Sequence, residues 1–467
     1  MLNNYIDNLK DEIIKKTQEL IQIPSVDSIC VNQMHPFGEN ANKALEYILE
    51  LGKSLGFRTK NVDGYCGFIE FGEGNDLIGI IGHLDVVPEG ENWTFPPFSG
   101  TIYDNKIYGR GAIDDKGPVI ASLYAMKAVM DNYKINKRVR LILGLNEEKN
   151  WKCINYYKEH EEIPKIGFSP DADFPVIYAE KSIITSYFKE HYVDKNSDLF
   201  IKEIDCNNAI NVVPKICSCI LKINSEKITM DNLIHDIQNI LNNYDYEIDI
   251  YKISNDELKL TSHGIQAHSA HPNLGVNAIS RLIIILNDIF NKYNSPIEIF
   301  NFFSKYIGIQ YNGENLNINV KDESGILTLN VGDFTLKDNV LSIGLNIRIP
   351  INTTIADIEN KIITITKNYS NLSFATTHQI PSLFIPKDNH LIKTLCKIYN
   401  EETNSNEEPI AIGGATFARA FPNCVSFGAN LAHQKDMCHQ TDEFITIDNL
   451  IIACKIYAKA IKTLADS

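Results

Sequence analysis

The chain has 467 residues, a net charge of −15, 44% apolar and 22% charged residues, which describes a globular protein too long for one ordinary core. The acidic balance argues against nucleic acid and against an anionic membrane surface as partners. Ten cysteines without a CxxC pair fit reduced thiols in a cytoplasmic protein; Cys217 and Cys219 flank a single serine, poor spacing for a zinc knuckle.

The N-terminal MLNNYIDNLKDEIIKK has no apolar signal core, and no apolar run is long enough to span a bilayer. Apolar residues at helical spacing then predict helices over 5–21 and 41–55, the second ending before Gly56. Residues 77–81 read as a buried strand, 116–130 as a helix, 139–145 as a second buried strand, 151–160 as a helix and 166–168 as a short strand. This alternation predicts an α/β domain with a mostly parallel sheet. From 182 to 383 alternating strands, such as 216–223 and 341–349, mix with amphipathic helices such as 277–293. Segments 390–399, 424–427 and 448–461 return to the α/β style, with Asp448 expected as the N-cap of the last helix. The expected architecture is one discontinuous α/β domain, 1–181 with 384–467, interrupted by an inserted α+β domain over 182–383. No low-complexity tract or short repeat stands out.

Residues of the metal-binding kind follow the predicted strands. His83 and Asp85 end LIGIIGHLD, Asp114 and Asp115 follow GRGAI, Glu147 and Glu148 follow the 139–145 strand, and Asp171 follows 166–168. Strand carboxyl ends form the ligand crevice of open α/β sheets, so these positions can converge there. A bridging carboxylate can hold two divalent ions a few ångströms apart. Imidazole and carboxylate ligands without thiolate suit zinc, and also manganese or cobalt. Asp85 is spaced to orient His83 and fix its tautomer.

The segments GHLDVVPEGENW, YGRGAIDDKGP, LNEEKNW, FSPDADFP and HQTDEF, taken in order, resemble the metal-binding motifs of the M20 family of metallopeptidases. With IQIPSV near the start and WTFPPFSG after the first motif, the likeness is to the PepV-type, Xaa-His-dipeptidase-like branch. The resemblance implies that His83 and Asp171 bind one metal, Glu148 and His439 the other, and that Asp114 bridges them. It implies Glu147 as the general base, taking a proton from the bridging water and passing it to the leaving amine. GIQAHSAHPNLGVNA resembles the family's lid motif and implies His268 as the oxyanion-stabilising histidine. Asn211 in NAINVVP, Arg348 in NIRIP, and Gly413, Gly414 and Arg419 in IGGATFAR match substrate-contact segments. Arg348 is the implied clamp for a free C-terminal carboxylate. The inserted segment is roughly twice the length of the lid in dimeric relatives, and the resemblance to PepV-type members, whose extra part mimics a partner's lid, implies a monomer able to close its own site.

Two segments depart from the family pattern. Asn146 stands where many relatives have Asp, and GGATFAR replaces the commoner GGGTYAR, so that Ala415 and Phe417 bear on substrate preference. Taken singly, the site residues have plainer readings: an HxD pair is ordinarily a surface or cap pair, Glu147 and Glu148 a solvated charge pair, Asp115 a helix cap and Asp173 a surface residue. His263 and His271 read as structural or exposed, and a separate site from His263, His268 and His271 ranks well below the main one. His35, His160, His191, His235, His378, His390 and His433 belong to no motif. The expectation is a two-metal hydrolase of short peptides, most of all dipeptides. Its rivals are an N-acyl-amino-acid deacylase and a catalytically silent binding protein of the same fold.

Overall fold

A computed structural model describes residues 1–28, 35–192, 197–432, 434–435 and 437–466; His433 lies outside them. The chain divides into two units, one of Met1–Ala179, Phe384–Ile410 and Ala415–Ser467, the other of Glu180–Leu383 and Ala411–Gly414.

The first unit is a mixed α/β layer with a parallel centre. Strand Leu77–His83 lies between Arg138–Gly144 and Ile166–Ser169, parallel to both, and Cys424–Ser426 extends the parallel set beyond Ile166–Ser169. Strands Cys66–Phe71 and Arg58–Val62 add an antiparallel flank. Every residue of Leu77–His83 is buried, which is what a strand covered on both faces requires and why its sequence is a continuous apolar run. Helices Lys116–Asn132 and Ile447–Asp466 pack on one another and on this sheet.

Several elements start or end a few residues away from the sequence reading, and three of the differences have a clear local cause. Helix 5–21 is two helices, Leu2–Asn8 and Lys10–Ile21, separated at Leu9, whose amide bonds back to the Ile6 carbonyl at 3.0 Å. The strand predicted over 77–81 runs on to His83, so the histidine belongs to the strand itself. Asp448 is not the cap of the last helix: the helix begins at Ile447 and the Thr446 hydroxyl takes the Asn449 amide at 3.0 Å. Asp448 sits in the first turn, where a negative charge favours the helix dipole, and accepts from Asn105 at 2.9 Å.

The second unit is α+β and wholly antiparallel in its two main sheets. One has the order Thr328–Lys337, Val340–Ile349, Ser182–His191, Leu372–Ile380; the other Leu199–Asp205, Ile216–Ile223, Glu257–His263, Ile248–Lys252. Glu257–His263 alternates buried and half-exposed residues, the period of a strand with one face on a core. Helix Ala278–Lys292 packs on the second sheet and is capped by Asn277, whose side chain accepts the Ser280 amide at 2.9 Å. Cys217 and Cys219 are buried in this core as small apolar side chains.

Candidate metal centre

Parallel register brings the chemistry to one edge of the first unit. His83 pairs with Gly144, so the strand carrying the histidine and the strand leading to Glu147 and Glu148 end level. The Leu84 amide continues the ladder to the Gly144 carbonyl at 2.9 Å. Asp171 follows the next parallel strand, two residues past Ser169. Asp114 arrives on the loop ahead of helix Lys116–Asn132.

Two groups of potential ligand atoms result, His83, Asp114 and Asp171, and Asp114, Glu148 and His439, the atoms of each lying within 4.8 Å of one another. Asp114 is common to both. Its Oδ1 is 2.9 Å from His83 Nε2 and its Oδ2 is 3.0 Å from His439 Nε2. Asp171 Oδ2 is 3.7 Å from His83 Nε2, and Glu148 Oε1 is 3.1 Å from His439 Nε2. His439 holds φ at 63°, a left-handed conformation that non-glycine residues adopt mostly at constrained sites. Among the described residues no group forms from His263, His268 and His271; His263 pairs with Asp249 at 2.9 Å.

Asp85 serves this edge twice. His83 Nδ1 lies 2.8 Å from the Asp85 carbonyl oxygen and 3.5 Å from its carboxylate. Both are acceptors, so the proton sits on Nδ1 and Nε2 is the nitrogen that can ligate. The Asp85 carboxylate also accepts the amides of Glu147 and Glu148, each at 3.1 Å, and so holds the turn that carries both. Asp115 occupies the N-cap position of its helix without capping it; its carboxylate accepts the His83 amide at 3.1 Å instead.

Electrostatics sharpens the picture. Burial pulls the His83 pKa down, but the hydrogen bonds of Asp114 and Asp85 outweigh it and raise it well above the ordinary value. Burial likewise opposes His439, yet Asp114 and Glu148 carry it up to about 12. Burial raises Asp114, and the two imidazoles overcome that and hold it well below the carboxylate range. Glu148 and Asp171 are pushed up by burial and then by the Asp114 charge, and Glu147 by burial together with Glu148, Asp85 and Asp114. Five carboxylates, Asp85, Asp114, Glu147, Glu148 and Asp171, thus crowd two imidazoles in a partly desolvated place. Such an arrangement needs protons or cations to offset it, and the donor set, imidazole nitrogen and carboxylate oxygen, suits zinc, manganese or cobalt.

The sequence reading passed over a buried ion pair behind this site. Arg110 and Glu443, 2% and 0% exposed, meet at 2.6 Å. Glu443 also accepts the Ile113 and Asp114 amides at 3.0 and 3.3 Å, while Arg110 reaches the carbonyls of Gln440 and His439 at 3.3 and 3.4 Å. The pair staples the Asp114 loop to the His439 loop. Both residues lie inside quoted motifs, but neither stands out there by residue type, because HQTDEF and YGRGAIDDKGP each carry further charges.

Phe417, one of the two departures, is fully buried, its ring 6.2 Å from His83 and 5.4 Å from Trp151. Arg419 belongs to the same short 3-10 turn, Phe417–Ala420, and is half-buried. Asn211, His268, Arg348, Gly413 and Gly414 belong to the second unit. There the short pair of Val212–Val213 with Ala267–His268 sets Asn211 beside His268, and the Ser269 amide bonds the Asn211 carbonyl at 3.0 Å. The Arg348 guanidinium, 4% exposed, donates to Asn346 Oδ1, Ser269 Oγ and the Gly413 carbonyl at 2.8, 2.9 and 2.7 Å. Four of these five residues are therefore tied together within the unit.

Residues 79–463 match peptidase family M20/M25/M40, and the chain belongs to that family. It is a peptidase hydrolase of the M20 type. It is 37% identical over 98% of its length to a Bacillus subtilis (strain 168) protein named "Putative dipeptidase YtjP", of which it covers 98%. Its fold is shared with human carnosine dipeptidase 1, at a TM-score of 0.59 and 15% identity, over 100% of this chain and 98% of that one. It is shared too with the di-peptidase Dug1p from Saccharomyces cerevisiae, at a TM-score of 0.59 and 14% identity, over 100% and 98%. Among the described residues no helix is long and apolar enough to cross a membrane.

Proposed function

We propose that the protein is a two-metal dipeptidase acting on small peptides in the cytoplasm as a monomer. The observation that carries the reading is the Asp114 carboxylate, with one imidazole nitrogen at 2.9 Å from one oxygen and another at 3.0 Å from the other. His83 and Asp171 would hold one divalent ion, Glu148 and His439 the other, with Asp114 between them; zinc suits the donors best. Ions bound there supply a Lewis acid for the scissile carbonyl and an acidified water.

The remaining work falls to side chains. Glu147 takes the proton from the attacking water and delivers it to the amine that leaves. Burial raises its pKa above the ordinary carboxylate value. Asp85 keeps Glu147 and His83 in place. His268 serves the oxyanion, and Asn211, Arg348, Gly413, Gly414 and Arg419 the substrate, with Arg348 for a terminal carboxylate. The names of the B. subtilis, human and yeast proteins support a dipeptide substrate. Ten cysteines without a CxxC pair support a reducing compartment.

The test is a panel of dipeptides, tripeptides and N-acetyl and N-succinyl amino acids, offered to the zinc-, manganese- or cobalt-loaded chain. Dipeptides should turn over fastest, and E147Q should cut that rate roughly 10²–10⁴-fold while cation binding persists. Turnover of acylated amino acids alone would favour the deacylase, and no turnover at all the silent binding protein.

A further inference from the structure

The segment IQIPSVD, residues 21–27, has so far no role. In the structure it runs beside the segment that follows His83. Val26 bridges Val86 in parallel, the Val86 amide bonds the Ser25 carbonyl at 3.2 Å, and the Ser25 hydroxyl donates to the Leu84 carbonyl at 2.5 Å. This brings Asp27 against the turn that carries Glu147 and Glu148. Asn146 Nδ2 donates to Asp27 Oδ2 at 2.6 Å. Lys149 Nζ lies 3.3 Å from the same oxygen and donates to the Asp27 carbonyl at 3.2 Å. The residues on either side of Glu147 and Glu148 are thus both tied to Asp27.

Asn146 is 1% exposed and uses both ends of its amide. Its Oδ1 accepts the Lys152 amide at 3.2 Å while its Nδ2 serves Asp27. A carboxylate at 146 could accept from Lys152 but would meet the Asp27 carboxylate head-on. The Asp85 carboxylate grips the Glu147 and Glu148 amides, at 3.1 Å each, so the turn has two independent carboxylate anchors.

We propose that Asp27 is a positioning residue which, through Asn146 and Lys149, sets the Glu147–Glu148 turn and with it the affinity for divalent cations. The inference rests on Glu148 being a metal ligand, as argued above.

The experiment measures Zn²⁺ affinity of the full chain by competition with a chromophoric chelator, with melting in excess chelator as the fold control. N146D should weaken Zn²⁺ roughly 10- to 100-fold, the usual cost of losing a group that orients a ligand. D27N, which keeps an acceptor oxygen for Asn146, should change it less. D27N/N146D should recover most of the loss, because the new amide donates to the new carboxylate. Parent-like affinity in N146D, or a double variant as weak as N146D, overturns the proposal. So does a change in melting without a change in affinity, since that is a merely structural role. Should N146D fail to fold, D27A carries the test, with about tenfold weaker Zn²⁺ expected and unchanged affinity contradicting it. A parent that binds no Zn²⁺ removes the site reading itself; a parent that binds while the swap fails removes only the role of Asp27.

Discussion

Gly144 pairs with His83 across the parallel ladder, and a methyl group there would come within 2.4 Å of the Phe417 ring. The ring is fully buried and cannot swing aside. G144A should therefore cost about 1–3 kcal/mol by overpacking, and G144A/F417L should regain part of it. Chemical denaturation checks this; a G144A chain as stable as the parent would mean that the contact is not tight. The departure at 417 thus bears on packing behind a candidate ligand rather than on contact with substrate. At this scale the candidate ligands His83, Glu148 and Asp171 were legible because each closely follows an apolar run, whereas His439, which follows KDMC, was legible only through the family resemblance. Asp27 was not legible, since its importance lies in facing Asn146, 119 positions away. Nor was the second duty of Asp85, because a backbone amide as a partner leaves no trace in residue type.

Helix Glu298–Tyr306 has no side-chain cap of its own. The Glu190 carboxylate, from the strand Ser182–His191, accepts the Ile299 amide at 2.5 Å and the Glu298 amide at 3.4 Å. E190A should cost about 1 kcal/mol, the ordinary loss of a helix cap. Burial raises the Glu190 pKa, and the two amides only partly offset it. A carboxyl whose folded pKa lies above its unfolded one binds more protons folded, so stability falls as pH rises from the unfolded value through the raised one. E190Q should flatten that fall, read as the difference between parent and variant melting temperatures across the acid range; parallel curves would sink the assignment. Elements of this kind were legible where a pattern runs long, as in the strand Ile216–Ile223. Their ends were not. The break at Leu9 leaves the buried face intact, from Leu2 and Ile6 to Ile13 and Leu20, so apolar spacing cannot register it.

Over the whole molecule the chain leaves one unit after Ala179 and re-enters it at Phe384. In the sequence buried runs give way to alternating strands near 182, whereas the excursion of Ala411–Gly414 into the second unit leaves no such change, because four residues are too few to carry a period. What the fold achieves in the first unit is the convergence of residues from four separate stretches, those of His83, Glu148, Asp171 and His439, around the Asp114 carboxylate. Cations bound there should also stabilise that unit by mass action, so chelation should lower its protection in hydrogen exchange and leave the second unit unchanged. The convergence itself is tested by counting zinc per chain by elemental analysis after equilibrium dialysis. Two ions should remain on the parent, one on D171A and on H439A, and none on D114A. A parent that retains no zinc, or a D114A chain that retains two, would contradict it.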